Sequence, residues 1–465
     1  MSNLQQRQAL LTKLGNAKPL DDPTAFVLLW TYFEEAGLSE VENNFILQRF
    51  DPVLIDPIPR RTTDPYDPDR TRAALAKKKD NTDFDRTAVA WLKGIDRLLE
   101  GQRGTFETAP IQGYDGRQYR IRGMNNFIAR YFAWDDRDTE DDAEPGTPAE
   151  AKPNRELAGN RKRSLSLSAY CRAFRAVPTE IKGIRIEGTS RWGNPSIHDR
   201  LHAASESGLR FLAWPLRYDL RVERWLADDE MGERRGKFLR VNVAADRQVR
   251  GRELATAIDA ARRARAAILV FPELSTAVED VPVLQELLAQ HDFDDFPILT
   301  IAGVEHQHAD QSDVNEAVVL GPDGENLHRH VKLTRYSEDD GSKEWITTGT
   351  VIHVLESPIG NLAPLICLDL FNESIEPAIA ASHANVLLVP SLSSKTSAHA
   401  IAAYRYLNIN LAATIVCNRS FDGDQMGVNK GRAETFSLLP GKSKEGKTLY
   451  VKLAAEEDYL LVTVE

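Results

Sequence analysis

Apolar positions in the first fifty residues recur at helical spacing, as at Phe26, Leu29, Trp30 and Phe33, and predict helices there. A stretch rich in Asp-Pro pairs follows, from Asp51-Pro52 to Asp67-Pro68. Proline removes backbone donors and biases its predecessor towards extended forms, so this stretch reads as a loop or linker. Residues 83–99 again carry a helical stripe, with Val89, Leu92, Ile95 and Leu98 on one face. Between 135 and 156 the apolar pattern stops, acidic residues dominate, and Pro145-Gly146-Thr147-Pro148 interrupts the chain. Such a run cannot bury enough apolar surface to order itself and marks a boundary.

From about Leu209 short apolar runs alternate with amphipathic segments. Strands are predicted over 238–244 and 267–271, with a helical face of Leu254, Ala257, Ile258, Ala261 and Ala264 between them, which reads as a β–α–β unit. A helix over 281–289 and a strand over 297–304 follow. A hairpin then joins 317–320 to 327–333 through Gly321-Pro322-Asp323-Gly324. Later strands fit 351–355, 362–366, 386–390, 413–417, 448–453 and 460–464, with helices within 374–382 and 398–410. The alternation predicts a layered α/β fold over 209–465. It follows a mostly helical region over 1–134, an acidic linker over 135–156 and a connecting segment over 157–208.

At 465 residues the chain is too long for one ordinary core. A net charge of -11 argues against a general nucleic-acid binder, which carries a basic surface. The basic triplet Arg161-Lys162-Arg163 reads either as a solvated loop or as a contact for an anion or partner. Three cysteines, Cys171, Cys367 and Cys417, are too few for a disulfide framework and fit a reducing compartment. Residues 1–20 lack the apolar centre of a signal peptide, and the apolar run over 25–30 is too short to span a bilayer. The expectation is a cytoplasmic protein with no membrane segment.

Three apolar runs end in reactive side chains: Phe271-Pro272-Glu273, His330-Val331-Lys332 and Leu365-Ile366-Cys367. A carboxylate, an ammonium and a thiol at strand ends are the parts of covalent carbon–nitrogen bond hydrolysis: a base, an oxyanion stabiliser and a nucleophile. Their order and surroundings resemble the carbon–nitrogen hydrolase, or nitrilase, superfamily. The separations are 332 − 273 = 59 and 367 − 332 = 35 residues. The resemblance covers only the C-terminal part of the chain and implies a four-layer α-β-β-α sandwich. It implies that Glu273 is the general base, that Lys332 and the backbone N–H of Leu368 hold the oxyanion, and that Cys367 is the nucleophile.

It also implies a second acid between lysine and cysteine. Glu344, five residues before Gly349, fits, and Glu338 competes with it. Phe371-Asn372-Glu373 stands where the family usually has Phe-Pro-Glu, and Ser393 to Thr396 replace the usual tryptophan after Pro390-Ser391. Asn410 and Asn418 fall near expected asparagines, and Gly431 to Glu434 resemble a closing hairpin. The resemblance implies a small amide-type substrate, no metal or organic cofactor, and a homo-oligomer.

His328, His330 and Lys332 share one strand face, so His330 reads either as a neighbour of the site or as a partly exposed strand residue. His306, His308 and Asp310 have metal-ligand spacing but read better as a polar loop. A papain-like Cys–His enzyme leaves Glu273 and Lys332 unexplained. The function expected is thiol-dependent hydrolysis of an amide, ureide or N-carbamoyl bond. An acyl transferase of the same family, and a regulated effector or scaffold whose N-terminal region recognises a protein partner, stay as alternatives.

Overall fold

Runs of strand length that are apolar at every position, rather than at alternate ones, are those of strands covered on both faces. In the computed structural model, Ile268–Val270 is such a strand, Val386–Leu392 is one up to Pro390, and both lie inside their sheets. The structure describes residues 3–17, 21–36, short pieces within 72–96, and 110–123, 174–189, 195–216, 219–228, 235–290, 296–308, 313–338, 340–393, 396–410, 412–419, 435–442, 448–453 and 457–464. The Asp-Pro stretch, the acidic run over 135–156, Arg161 to Arg163, Cys171, Asp310 and Gly431 to Glu434 lie outside them.

The described residues divide into two units, with the break between Glu180 and Ile181. The first holds α1 (Asn3–Asn16), α2 (Asp22–Ala36) and a three-stranded antiparallel sheet of β1 (Ile111–Gln112), β2 (Gln118–Gly123) and β3 (Phe174–Pro178). Its core gathers Leu10, Leu14, Phe26, Trp30, Trp91 and Ile95, all essentially unexposed. The helices match the apolar spacing. The sheet corrects the expectation of a mostly helical region.

Strand β4 (Glu180–Ile181) spans the break, and the second unit continues with β5 (Ile184–Thr189), α3 (Pro195–Glu206), β6 (Leu209–Ala213), β7 (Leu220–Asp228) and β8 (Arg235–Val243). Then come α4 (Arg247–Ala264), β9 (Ile268–Val270), α5 (Asp280–Ala289), β10 (Leu299–His308), β11 (Asp313–Leu320), β12 (Asn326–Val331) and β13 (Lys343–Glu344). Next are β14 (Val351–Ser357), β15 (Gly360–Pro364), a 3-10 turn (Cys367–Leu370), α6 (Glu376–Ala381), β16 (Val386–Leu392) and α7 (Ser397–Asn410). The described chain closes with β17 (Ala413–Arg419), β18 (Phe436–Lys442), β19 (Thr448–Lys452) and β20 (Leu460–Val464).

A six-stranded sheet runs β12-β11-β10-β9-β6-β20, and an eight-stranded sheet runs β19-β18-β17-β16-β15-β14-β5-β4. Both are mixed: β9 is parallel to β6 and β10, and β16 is parallel to β15 and β17. The sheets meet where β9 and β10 approach β16, β6 approaches β17, and β12 approaches β14. Helices α4 and α5 share a core with the six-stranded sheet through Leu254, Ile258, Leu284, Leu269 and Val318. Helix α4 starts where the Asp246 side chain accepts from the N–H of Gln248, and stops at Arg265, whose φ of 53° is left-handed.

One expectation needs correction. Strand β8 does not neighbour β9; it joins β7 and β13 in a separate three-stranded sheet, and β6 is the parallel partner of β9. The crossover unit is therefore β6–α4–β9, with the β7–β8 hairpin inserted. Ahead of residue 209, where the sequence pattern opens the α/β region, β5 pairs in parallel with β14 from Arg185↔Val351 to Thr189↔Leu355.

Candidate active site

The six- and eight-stranded sheets, with β13 of the three-stranded sheet, bring Glu273, Lys332, Glu344 and Cys367 together, each just beyond or at the end of a strand. Glu273 follows β9 and Pro272. The turn after it is fixed by Leu274 in the left-handed region (φ 54°), by the Ser275 hydroxyl donating to the Pro272 carbonyl at 2.7 Å, and by Ser275 and Thr276 N–H groups donating to the Gly303 carbonyl. Gly303 is required there: a Cβ would sit 2.4 Å from the Pro272 oxygen and 2.5 Å from the Glu273 Cα. This close approach turns Glu273 inward, where it is 2% exposed.

Lys332 leaves β12 pinned on both sides. Its N–H donates to the Asn315 carbonyl at 2.9 Å, and its carbonyl accepts from Gly349 at 2.8 Å. A lysine this buried needs charge partners, and it has two: Nζ lies 2.7 Å from Glu273 Oε1 and 2.7 Å from Glu344 Oε2. Burial opposes its charge, but the two carboxylates outweigh burial and hold the ammonium well above the usual lysine range.

Glu344 sits on β13, against Leu239 of β8. Burial alone would raise its carboxyl. Lys332 and the hydrogen bond from His306 together hold it below the usual value of 4.5. His306 Nδ1 accepts from the Val241 N–H at 3.0 Å, so its proton is on Nε2, which lies 2.9 Å from Glu344 Oε1. The inserted hairpin thus reaches the second carboxylate through one imidazole. Asn315 joins the two acids, its amide donating to Glu273 Oε1 at 2.9 Å and to Glu344 Oε1 at 2.6 Å. The Leu392 N–H donates to the other Glu273 oxygen at 3.1 Å.

Cys367 opens the 3-10 turn with φ 46°, a left-handed backbone that a non-glycine residue seldom adopts. Asp369 holds this turn: its carboxylate accepts from the N–H groups of Ile366 at 3.2 Å and Leu333 at 3.0 Å. One carboxylate therefore ties the cysteine turn to the residue after Lys332. Burial pushes the thiol up to about 12, reinforced by Glu273 and opposed by Lys332 and by donors from Ser391 and Leu392. Cys367 thus lies beside Glu273 and Lys332.

The structure thus joins Glu273, Lys332, Glu344 and Cys367, with Leu368 next in the cysteine turn. Glu338 lies elsewhere, paired with Arg224 at 3.0 Å. His330 is fully buried rather than partly exposed, and its Nε2 lies 3.6 Å from Asp369. Cys417 is a core residue of β17. Asn418 fastens the loop after β16, its side chain bonding the Ser393 N–H at 2.9 Å and carbonyl at 3.0 Å. Sequence reasoning missed Asn315, His306, Ser391 and Asp369 as members of this constellation. Asn315 left no separate trace, because it shares its strand with Asp313 and Glu316.

Residues 239–418 match the family model described as carbon–nitrogen hydrolase. This part of the chain is a carbon–nitrogen hydrolase domain. Among solved structures, an amidase from Nesterenkonia sp. is similar at 17% identity and a TM-score of 0.39, over 55% of this chain and 90% of that one. A Glu-to-Gln variant of the amidase from Nesterenkonia sp. AN1, with acrylamide added at its active-site cysteine, is similar at 17% identity and a TM-score of 0.39, over 55% and 93% of the two chains. A Cys-to-Ala variant of the same amidase, in complex with butyramide, gives 17%, 0.39, 55% and 90%. No curated protein matches the chain.

Proposed function

We propose that the chain hydrolyses a small-molecule amide, ureide or N-carbamoyl compound through a thioester on Cys367. The observation that carries this reading is Lys332, bound at 2.7 Å to each of two buried carboxylates beside a buried thiol. We further propose that the two facing sheets and their helices form a four-layer α-β-β-α sandwich.

In the proposed reaction the Cys367 sulfur attacks the substrate carbonyl as Glu273 takes the thiol proton. The carbon–sulfur bond forms and the carbonyl π pair moves to oxygen. Lys332 Nζ and the Leu368 N–H donate to that oxyanion; such preorganised donors act strongly where water is excluded. The intermediate collapses, the carbon–nitrogen bond breaks, and Glu273 returns its proton to the leaving nitrogen. Water then attacks the thioester as Glu273 accepts a proton, which releases the acid and restores the thiol. Glu344 keeps Lys332 aimed and charged between the two steps.

The thioester supplies a direct test. Protein mixed with a substrate it turns over and quenched in acid should carry the acyl mass on the Cys367 peptide. Turnover with the adduct on another residue would refute the assignment.

A further inference from the structure

Ser391 and His399 are fully buried, and the family reading leaves them without a task. Ser391 lies near the end of β16, and its Oγ is 3.4 Å from Cys367 Sγ and 3.1 Å from His399 Nε2. His399 lies in the first turn of α7, with the Phe371 ring edge-on at 4.7 Å. We propose that Ser391 and His399 are a relay that favours the Cys367 thiolate: the Ser391 hydroxyl donates to the sulfur, and His399 holds that hydroxyl in place. This rests on the reading of Cys367 as the nucleophile.

Proton counting supports it. A serine hydroxyl has one hydrogen. If it points at the sulfur, the oxygen accepts from His399, and the ring proton is on Nε2. The reverse arrangement sends the serine hydrogen to Nε2 and puts the ring proton on Nδ1. Nδ1 is buried and has no hydrogen-bond partner among the described residues. An orphaned N–H is rarer and costlier there than a bare lone pair, so the Nε2–H form prevails. Burial also lowers the imidazole to about 4, so it acts as a neutral donor at physiological pH.

The charged groups facing the sulfur are Glu273, which opposes a thiolate, and Lys332, which favours it; the Leu392 N–H and Ser391 add neutral donors. A neutral donor can offset part of the opposition from Glu273 without a second cation beside Lys332. Ser391 touches the reacting sulfur. His399 acts through it and is a positioning residue.

The test is the rate of iodoacetamide alkylation of Cys367 against pH, read by peptide mass in the full-length chain. Ser391→Ala and His399→Leu should displace the profile upward by about one pH unit, which makes alkylation about tenfold slower at each pH below the midpoint. His399→Gln, whose amide nitrogen can donate to Ser391, should restore most of the rate; it also serves if the leucine variant does not fold. A Ser391→Ala rate equal to that of the unaltered protein, or a His399→Gln rate no faster than His399→Leu, overturns the proposal. Failure of the nucleophile reading looks different: turnover would survive Cys367→Ala, whatever the alkylation profile.

Discussion

Lys332 shows how one residue couples stability to chemistry. Its ammonium lies between Glu273 and Glu344, all three about 2% exposed or less. Removing one partner of a buried ion pair leaves an uncompensated charge, so Lys332→Met should destabilise the hydrolase unit by about 3–5 kcal/mol in denaturant unfolding and abolish turnover. An unchanged unfolding midpoint would contradict the pairing. Glu344 adds a pH signature. Its folded-state value lies below the ordinary 4.5, so its stabilisation is complete above that pH and is lost as pH falls through the folded value. Glu344→Gln should flatten this acid limb of stability. Glu273 and Cys367 stand out in the sequence because each follows an apolar run, whereas Lys332, after the largely polar strand Asn326–Val331, stands out only through the family resemblance. Their supports do not stand out. The bonds of Asn315 to Glu273 and Glu344, of His306 to Glu344 and of Leu333 to Asp369 span 29 to 42 positions, and no local pattern encodes such pairings.

Element boundaries followed the apolar periodicity closely, as at β20 and α7, because burial dictates both. Sheet neighbours did not: β8 was expected beside β9 but pairs with β7 and β13. Strand character is local, whereas pairing depends on the rest of the fold. The close approach of β10 to the Pro272–Glu273 turn gives a prediction. Gly303→Ala places a methyl 2.5 Å from the Glu273 Cα, so the turn must shift. The expected cost is roughly 1–3 kcal/mol of stability from overpacking. A misplacement of this kind costs roughly 100-fold in kcat. Unaltered kcat in the folded variant would show that the turn does not set the geometry.

A second prediction concerns β12 and β14, from different sheets, where the His328 and His353 rings lie 4.0 Å apart. Burial and the neighbouring imidazole lower His328 to about 3; burial and His330 lower His353 to about 4. Below the ordinary 6.5 the unfolded chain binds protons that the folded chain refuses. Stability should therefore fall as pH drops from about 6.5 towards 4. His353→Phe should remove part of that slope in pH-dependent thermal unfolding, and an unchanged slope would contradict the shift.

For the whole molecule, the change of texture near Leu209 falls after β5, which pairs with β14, and we propose that the hydrolase unit starts before β5. The short strands before Leu209 lack a long apolar run and gain meaning only by pairing with β14. A chain beginning at Thr179 should keep the cooperative unfolding of this unit; one beginning at Leu209 strips β5 from β14, bares a sheet edge and should aggregate on refolding. Equal behaviour of the two in light scattering would refute the proposed boundary. No helix among the described residues is long and apolar enough to cross a membrane. The most direct test of the central claim is ammonia release from a panel of amides, ureides and N-carbamoyl compounds, with the protein and its Cys367→Ala variant side by side. The account predicts turnover of at least one compound by the protein and none by the variant. Equal turnover by both would contradict it.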